Sequence, residues 1–194
     1  MEKININGNR YYKHEDKLYP SVTSILKYYP KGESFYKWLS NTSIEEAERI
    51  RDSAGEQGSN VHKAIEEYIK TGDTYVELSI EESKLFNVFV IWYQSLKNVE
   101  VIAQELSVYN DEYQYAGTID LVLKIGEELR IIDIKTSNHI HAIHKLQLSA
   151  YKHCGFELAK MGILHLKSNK FIEVEDCFDV FLACKKIFDF EVNK

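Results

Sequence analysis

An α/β domain, a central mixed β-sheet flanked by helices, is the fold class this sequence predicts. Two apolar runs, 115–123 and 129–134, are joined by the short turn Ile125-Gly126-Glu127-Glu128 and read as a β-hairpin. Two Ser-x-x-Glu capping boxes upstream, Ser43 with Glu46 and Ser79 with Glu82, each open an amphipathic helix. A helical pattern over about 144–156 then separates the hairpin from further strands, so helices and strands interleave along the chain.

The elements follow in order. Residues 10–12 and 17–19 predict a small hairpin across His14-Glu15-Asp16, and Ser21 is a good N-cap for a helix starting just after Pro20. Leu85, Phe89 and Trp92 give the helix opened by Ser79 one buried face, to about residue 96. A first sheet strand is expected over 99–109, before the hairpin. After the 144–156 helix come strands at 161–166 and 170–174, turned at Ser168-Asn169, and a closing helix over about 178–190. There is no repeat, low-complexity tract or linker. One domain over 1–194 is expected, with 1–97 as an N-terminal hairpin and helical layer and 98–194 as the sheet core.

Composition narrows the classes. With 194 residues, 44% apolar and 28% charged, the chain can build one ordinary core. No apolar run reaches the ~20 residues of a membrane span, and Met1-Glu2-Lys3 opens no signal-peptide pattern, so no membrane partner and a cytoplasmic location are expected. A formal charge of −6 argues against a protein that simply coats DNA. The three cysteines, Cys154, Cys177 and Cys184, are odd in number and lack C-x-x-C spacing, which predicts reduced thiols and no iron–sulfur cluster.

The chemistry concentrates in Gly117-Thr118-Ile119-Asp120 and Asp133-Ile134-Lys135. In a strand, residues two apart share a face, so Asp133 and Lys135 point together while Ile132 and Ile134 point into a core. Burying an acid and a lysine among β-branched residues is costly unless they serve a charge. A divalent cation handling phosphate supplies one: carboxylates and a backbone carbonyl suit Mg²⁺, and an ammonium beside it can orient an attacking water. Asp120 and Asp133 therefore read as metal ligands, Lys135 as the catalytic cation, and the Ile134 carbonyl as a further ligand.

Taken with Gln147 and Tyr151, one helical turn apart, and with His62 in Gly58-Ser59-Asn60-Val61-His62, these motifs resemble the PD-(D/E)XK nuclease superfamily. The likeness is to its RecB-like and phage-type exonuclease branch, with G-x-x-D, then (D/E)-x-K after a hairpin, then Q-x-x-x-Y. The upstream Pro20-Ser21-Val22-Thr23-Ser24-Ile25-Leu26 is similar to the opening of such nucleases, so the resemblance spans about residues 20–175. It implies a restriction-endonuclease-like core and a nuclease, foremost an exonuclease, using one or two Mg²⁺ or Mn²⁺ ions on DNA. It also implies His62 as a metal ligand, Glu105 as a ligand or a residue behind one, and Gln147 and Tyr151 as DNA-binding or site-orienting groups. The implied setting is DNA processing, recombination or repair in a bacterial or phage-infected cell, with a homo-oligomer or a recombination partner as further expectations. A structure-specific endonuclease of the same fold and a catalytically inactive nucleic-acid-binding subunit are the alternatives.

Other residues have plainer readings. Strict alternation puts Glu105 on one face with Val101, Ala103, Ser107 and Tyr109. His62 stands on a helix whose apolar stripe is Val61, Ala64, Ile65, Tyr68 and Ile69, and Gly55 and Gly58 are expected to let that helix start close to another backbone. His139, His141 and His144 lack the further ligands of a zinc site and are expected to be solvated loop residues. Aromatics gather near the N-terminus, Tyr11, Tyr12, Tyr19, Tyr28, Tyr29, Phe35, Tyr36 and Trp38, beside Lys27, Lys31 and Lys37. They serve either as core or as base-stacking surface.

Overall fold

The computed structural model of the chain describes residues 1–192. It opens with a three-stranded antiparallel meander, β1 (Glu2–Ile6), β2 (Asn9–His14) and β3 (Lys17–Pro20). The β2–β3 hairpin is as expected; β1 is an addition. Its signal was the Asn7-Gly8 pair, both at positive φ (51° and 76°), which turns the chain tightly between Ile6 and Asn9.

Four helices follow: α1 (Val22–Ile25), α2 (Glu33–Ser40), α3 (Ile44–Thr71) and α4 (Ile80–Ser95). Ser21, Ser43 and Ser79 cap α1, α3 and α4 by accepting the backbone N–H of Ser24, Glu46 and Glu82. The Ser79 cap is a complete box, because Glu82 Oε2 accepts Ser79 N–H at 2.8 Å. Helix α3 corrects one expectation. It does not begin at Gly55 and Gly58 but runs through both, 28 residues in all, and ends at Gly72 in the left-handed conformation. Gly58 instead marks a close approach, since a Cβ there would lie 3.3 Å from Thr136 Oγ1.

The central sheet is mixed and five-stranded, in the order β4 (Val99–Asn110), β5 (Tyr115–Ile125), β6 (Glu128–Lys135), β7 (Lys160–His165), β8 (Lys170–Val174). All neighbours are antiparallel except β6 and β7, which are parallel and connected through α5 (Ala142–Lys152). Helix α6 (Phe178–Val192) closes the described chain. The expected span 144–156 shifts toward the N-terminus: His141 caps α5, and the chain leaves helical geometry before Gly155, at φ 97°.

Two apolar layers sandwich the sheet. On one face Ile119, Val122 and Ile131 pack with α1, α5 and α6 through Val22, Leu148 and Phe181. On the other Leu121, Leu123, Ile132 and Ile134 pack with α3 and α4 through Val61, Ile65, Leu85 and Phe89. Fully burying such side chains contributes about 1.5–3 kcal/mol each, which is what holds α3, and with it His62, against the sheet. No helix among the described residues is long and apolar enough to cross a membrane.

Candidate metal centre

The site forms where β5 and β6 part. The two strands pair from Ile125 and Glu128 as far as Leu121 and Ile132, and then the ladder stops. The Ile134 N–H is taken up by a side chain: Asp120 Oδ2 accepts it at 2.7 Å. The other oxygen, Oδ1, faces His62 Nδ1 at 3.9 Å, and Glu105 Oε1 faces the same nitrogen at 3.7 Å. His62, Glu105 and Asp120 can each offer a ligand atom within 4.8 Å of the others, the one such group of three or more among the described residues.

Strand irregularity makes this convergence. In β5, Ile119 belongs to one core layer and Leu121, two residues on, to the other, so the strand breaks step at Asp120. In β4, Val101 packs on the α3 side and Ala103 on the α5 side, separated by a one-residue bulge at Ile102. Opposite Asp120, Glu105 takes φ 46°, a left-handed conformation rare for a non-glycine residue. The expected grouping of Glu105 with Val101, Ala103, Ser107 and Tyr109 is therefore wrong, because bulge and left-handed turn reset the alternation. Such strain costs about 1–3 kcal/mol and is characteristic of functional positions.

Strand β6 stays regular. Ile132 and Ile134 enter the α3-side core, and Asp133 and Lys135 project the opposite way. Asp133 is 1% exposed. Lys135 Nζ donates to its Oδ1 at 2.9 Å and to Gln147 Oε1 at 3.2 Å, and Gln147 Nε2 donates to the Tyr151 hydroxyl at 3.0 Å. Asp133 Oδ2 is buried without a hydrogen-bond partner, although Lys135 Nζ lies 2.8 Å away in an ion pair. The Tyr151 ring lies across Gly117, where a Cβ would collide with it. Gly117 of the G-x-x-D motif and Tyr151 of Q-x-x-x-Y are thus two halves of one contact.

The electrostatics follow from this crowding. Burial opposes charge on His62, but Asp120 and Glu105 outweigh it and hold the imidazole up at about 9, against the like charge of Lys135. Burial would also lower the Lys135 ammonium; Asp133 and Asp120 reverse that and hold it above the usual lysine value. The Asp133 carboxyl is pushed up by burial, with Lys135 opposing and Asp120 adding to the rise. Lys135 is therefore a fixed cation, not a base.

His62 Nε2 lies 3.0 Å from the Ile134 carbonyl oxygen, which only accepts, so this nitrogen carries a hydrogen. In the neutral ring the Nδ1 lone pair then faces Glu105 and Asp120. A hard divalent cation fits the two carboxylates and the imidazole nitrogen of this group; Asp133, expected as a ligand, stands outside it, with Oδ2 2.8 Å from Lys135 Nζ.

One further expectation fails, at His144. His144 is buried, not solvated; its Nδ1 accepts the His141 N–H at 3.3 Å. Burial, then the charge of Lys135, push it down to about 3. His165, which belongs to no motif, is buried near it, with Nε2 2.7 Å from the Ser137 carbonyl and Nδ1 2.7 Å from Ser168 Oγ. Its position opposite Lys135 in the parallel ladder was not readable without the strand pairing. The cysteines are free thiols, Cys184 buried in the core. Among the N-terminal aromatics Tyr12 and Tyr19 are core, whereas Phe35, Tyr36 and Trp38 are exposed.

The centre opens into a cleft of about 670 Å³, walled by β1, β2 and α1 and by α3, with Lys3, Arg10 and Lys63 on its lining. No family model matches this chain, and no curated protein matches it. Among solved structures, that of SSO0001 is similar over 68% of this chain and 71% of its own, at 15% identity and a TM-score of 0.37. A likeness that distant transfers neither fold nor chemistry.

Proposed function

We propose that this chain is a metal-dependent deoxyribonuclease of the PD-(D/E)XK type, close to the RecB-like and phage-type exonucleases, with a restriction-endonuclease-like core. The observation that carries the reading is the meeting of His62, Glu105 and Asp120 beside a buried Asp133–Lys135 pair whose Asp133 Oδ2 lacks a hydrogen bond. Simple structural burial does not account for three acids, a histidine and a lysine held together at the point where a sheet opens.

His62, Glu105, Asp120, Asp133 and the Ile134 carbonyl would hold one or two Mg²⁺ or Mn²⁺ ions. Bound there, such an ion supplies an activated water and neutralises charge on the phosphoryl oxygens. Lys135 keeps its proton, so it orients the attacking water and stabilises the negative charge that develops on phosphorus. Gln147 fixes the ammonium through its Oε1, and Tyr151 fixes Gln147. Both line the cleft and position Lys135. Lys3, Arg10 and Lys63 offset Glu66, Glu105 and Asp120 on the cleft lining, so a bound cation would tip the cleft toward a polyanion on a protein whose net charge is −6.

The test is incubation of the protein with end-labelled single-stranded, linear duplex and covalently closed circular DNA, in Mg²⁺, Mn²⁺ or EDTA, with Lys135→Ala alongside. Metal-dependent loss of linear DNA, circles spared and the variant inactive, is the expected result. Cutting of circles would make the protein an endonuclease of the same type. DNA binding without cleavage under any condition would make it a binding subunit. Full activity in Lys135→Ala would remove the role given to that residue.

A further inference from the structure

Helix α2 leaves an apolar face exposed. Phe35, Trp38 and Leu39 stand at i, i+3 and i+4, the spacing of a core-facing stripe. Yet no residue of the helix is buried: Phe35 is 39% exposed, Tyr36 58%, Trp38 40% and Leu39 40%. The rings cluster among themselves, with Phe35 centroids 5.6 Å from Tyr36 and 6.0 Å from Trp38. Lys31 Nζ sits 5.9 Å from the Phe35 ring centroid.

We infer that this face is a stacking platform for the bases of single-stranded nucleic acid leading to the cleft. The inference rests on the nuclease reading and adds to it a strand preference. Three arguments select this occupant. First, rings interleaved with a cation match a ligand that alternates π faces with phosphates, and stacking needs an unpaired base. Second, the platform directly precedes the cleft wall along the chain. The chain leaves the cleft lining at Thr23 and rejoins it at Ala54, and α2 lies within that excursion. Helix α3 then runs unbroken from the far end of α2 to His62. Third, the face is too small for a second copy of the chain. Four such side chains expose roughly 350 Å² at their fractional exposures, against about 800 Å² per partner in a stable dimer.

Trp38 reports its own occupancy once Trp92, which stacks on Phe171 at 5.7 Å, is replaced by Phe. In the Lys135→Ala background with Mg²⁺, a 20-nucleotide oligo(dT) should quench Trp38 fluorescence saturably, and a blunt duplex of equal length should quench it far less. Trp38→Ala should weaken oligo(dT) binding, followed by anisotropy of a labelled strand, about tenfold, and Trp38→Phe should restore most of it. Equal quenching by both ligands, or unchanged binding in Trp38→Ala, would overturn the platform, as would a dimer that Trp38→Ala dissolves. The two readings fail separately. DNA cleavage by the Lys135-bearing protein without any Trp38 response removes the platform and keeps the nuclease. A Trp38 response without cleavage in any metal removes the nuclease and keeps single-strand binding.

Discussion

Strand β6 and the β4–β5 pair deliver carboxylates to the same place by opposite means. On β6, strict alternation sends Ile132 and Ile134 into one core and Asp133 and Lys135 to the other side. On β4 and β5, a bulge at Ile102, a positive φ at Glu105 and a break of step at Asp120 turn two acids out of their ladders toward His62. The regular strand pairs its acid with a fixed cation. The irregular strands leave theirs facing a nitrogen that can give up its proton. A sheet can thus place an ion pair by periodicity alone, whereas a convergent donor set requires departing from it.

The largest expected effect breaks the irregular side. Asp120→Asn keeps an acceptor for the Ile134 N–H while removing the charge between His62 and the other acids. Metal-dependent cleavage should fall by about a thousandfold, with the denaturation midpoint little changed. A variant within tenfold of the parent would show that Asp120 is structural.

The histidines sharpen the contrast, because the two sides shift them in opposite directions. His62 is held up at about 9 by acids, above its unfolded value near 6.5, so its contribution in metal-free protein is complete below about pH 6.5. It is lost as pH climbs through 9, up to about 3 kcal/mol. His144 is pushed down to about 3 beside Lys135, so its contribution is present above about pH 6.5 and is lost as pH falls. Urea unfolding in EDTA from pH 4 to 10 should therefore lose its alkaline limb in His62→Gln and flatten on the acid side in His144→Gln. Parallel curves for parent and variants would remove both charge assignments.

Gly117→Ala tests the contact that supports the regular side. A Cβ against the Tyr151 ring should displace it, costing about 1–3 kcal/mol and loosening Gln147 and Lys135. Thermal melts of Gly117→Ala, Tyr151→Leu and the double variant should show strong non-additivity; additive losses would mean the two residues act apart. The smallest effect concerns backbone strain. Asn tolerates a left-handed φ better than Glu, so at pH 10, where His62 is mostly neutral and gains little from the Glu105 charge, metal-free Glu105→Asn should be more stable by about 0.5–1 kcal/mol, and its cleavage activity should be lower. A loss of stability would argue that the Glu105 backbone is unstrained.

What was legible in the sequence was what periodicity and local chemistry decide. Caps at Ser21, Ser43 and Ser79, the hairpin turn at Gly126 and the pairing of Asp133 with Lys135 each depend on residues a few positions apart. The Asn7-Gly8 turn belongs to the same class and was there to be read. Tertiary structure alone decided the rest, because it depends on groups brought together from distant stretches. The burial of His144 and His165 comes from the parallel register of β6 with β7 and the packing of α5 against both. Gly117 must be glycine because Tyr151, 34 positions away, lies across it. The convergence of His62, Glu105 and Asp120 arises from α3 packing over the place where β5 parts from β6 and two strands break step. Alternation rules predict a sheet's regular surface; a site made by interrupting alternation is visible only once the strands have met.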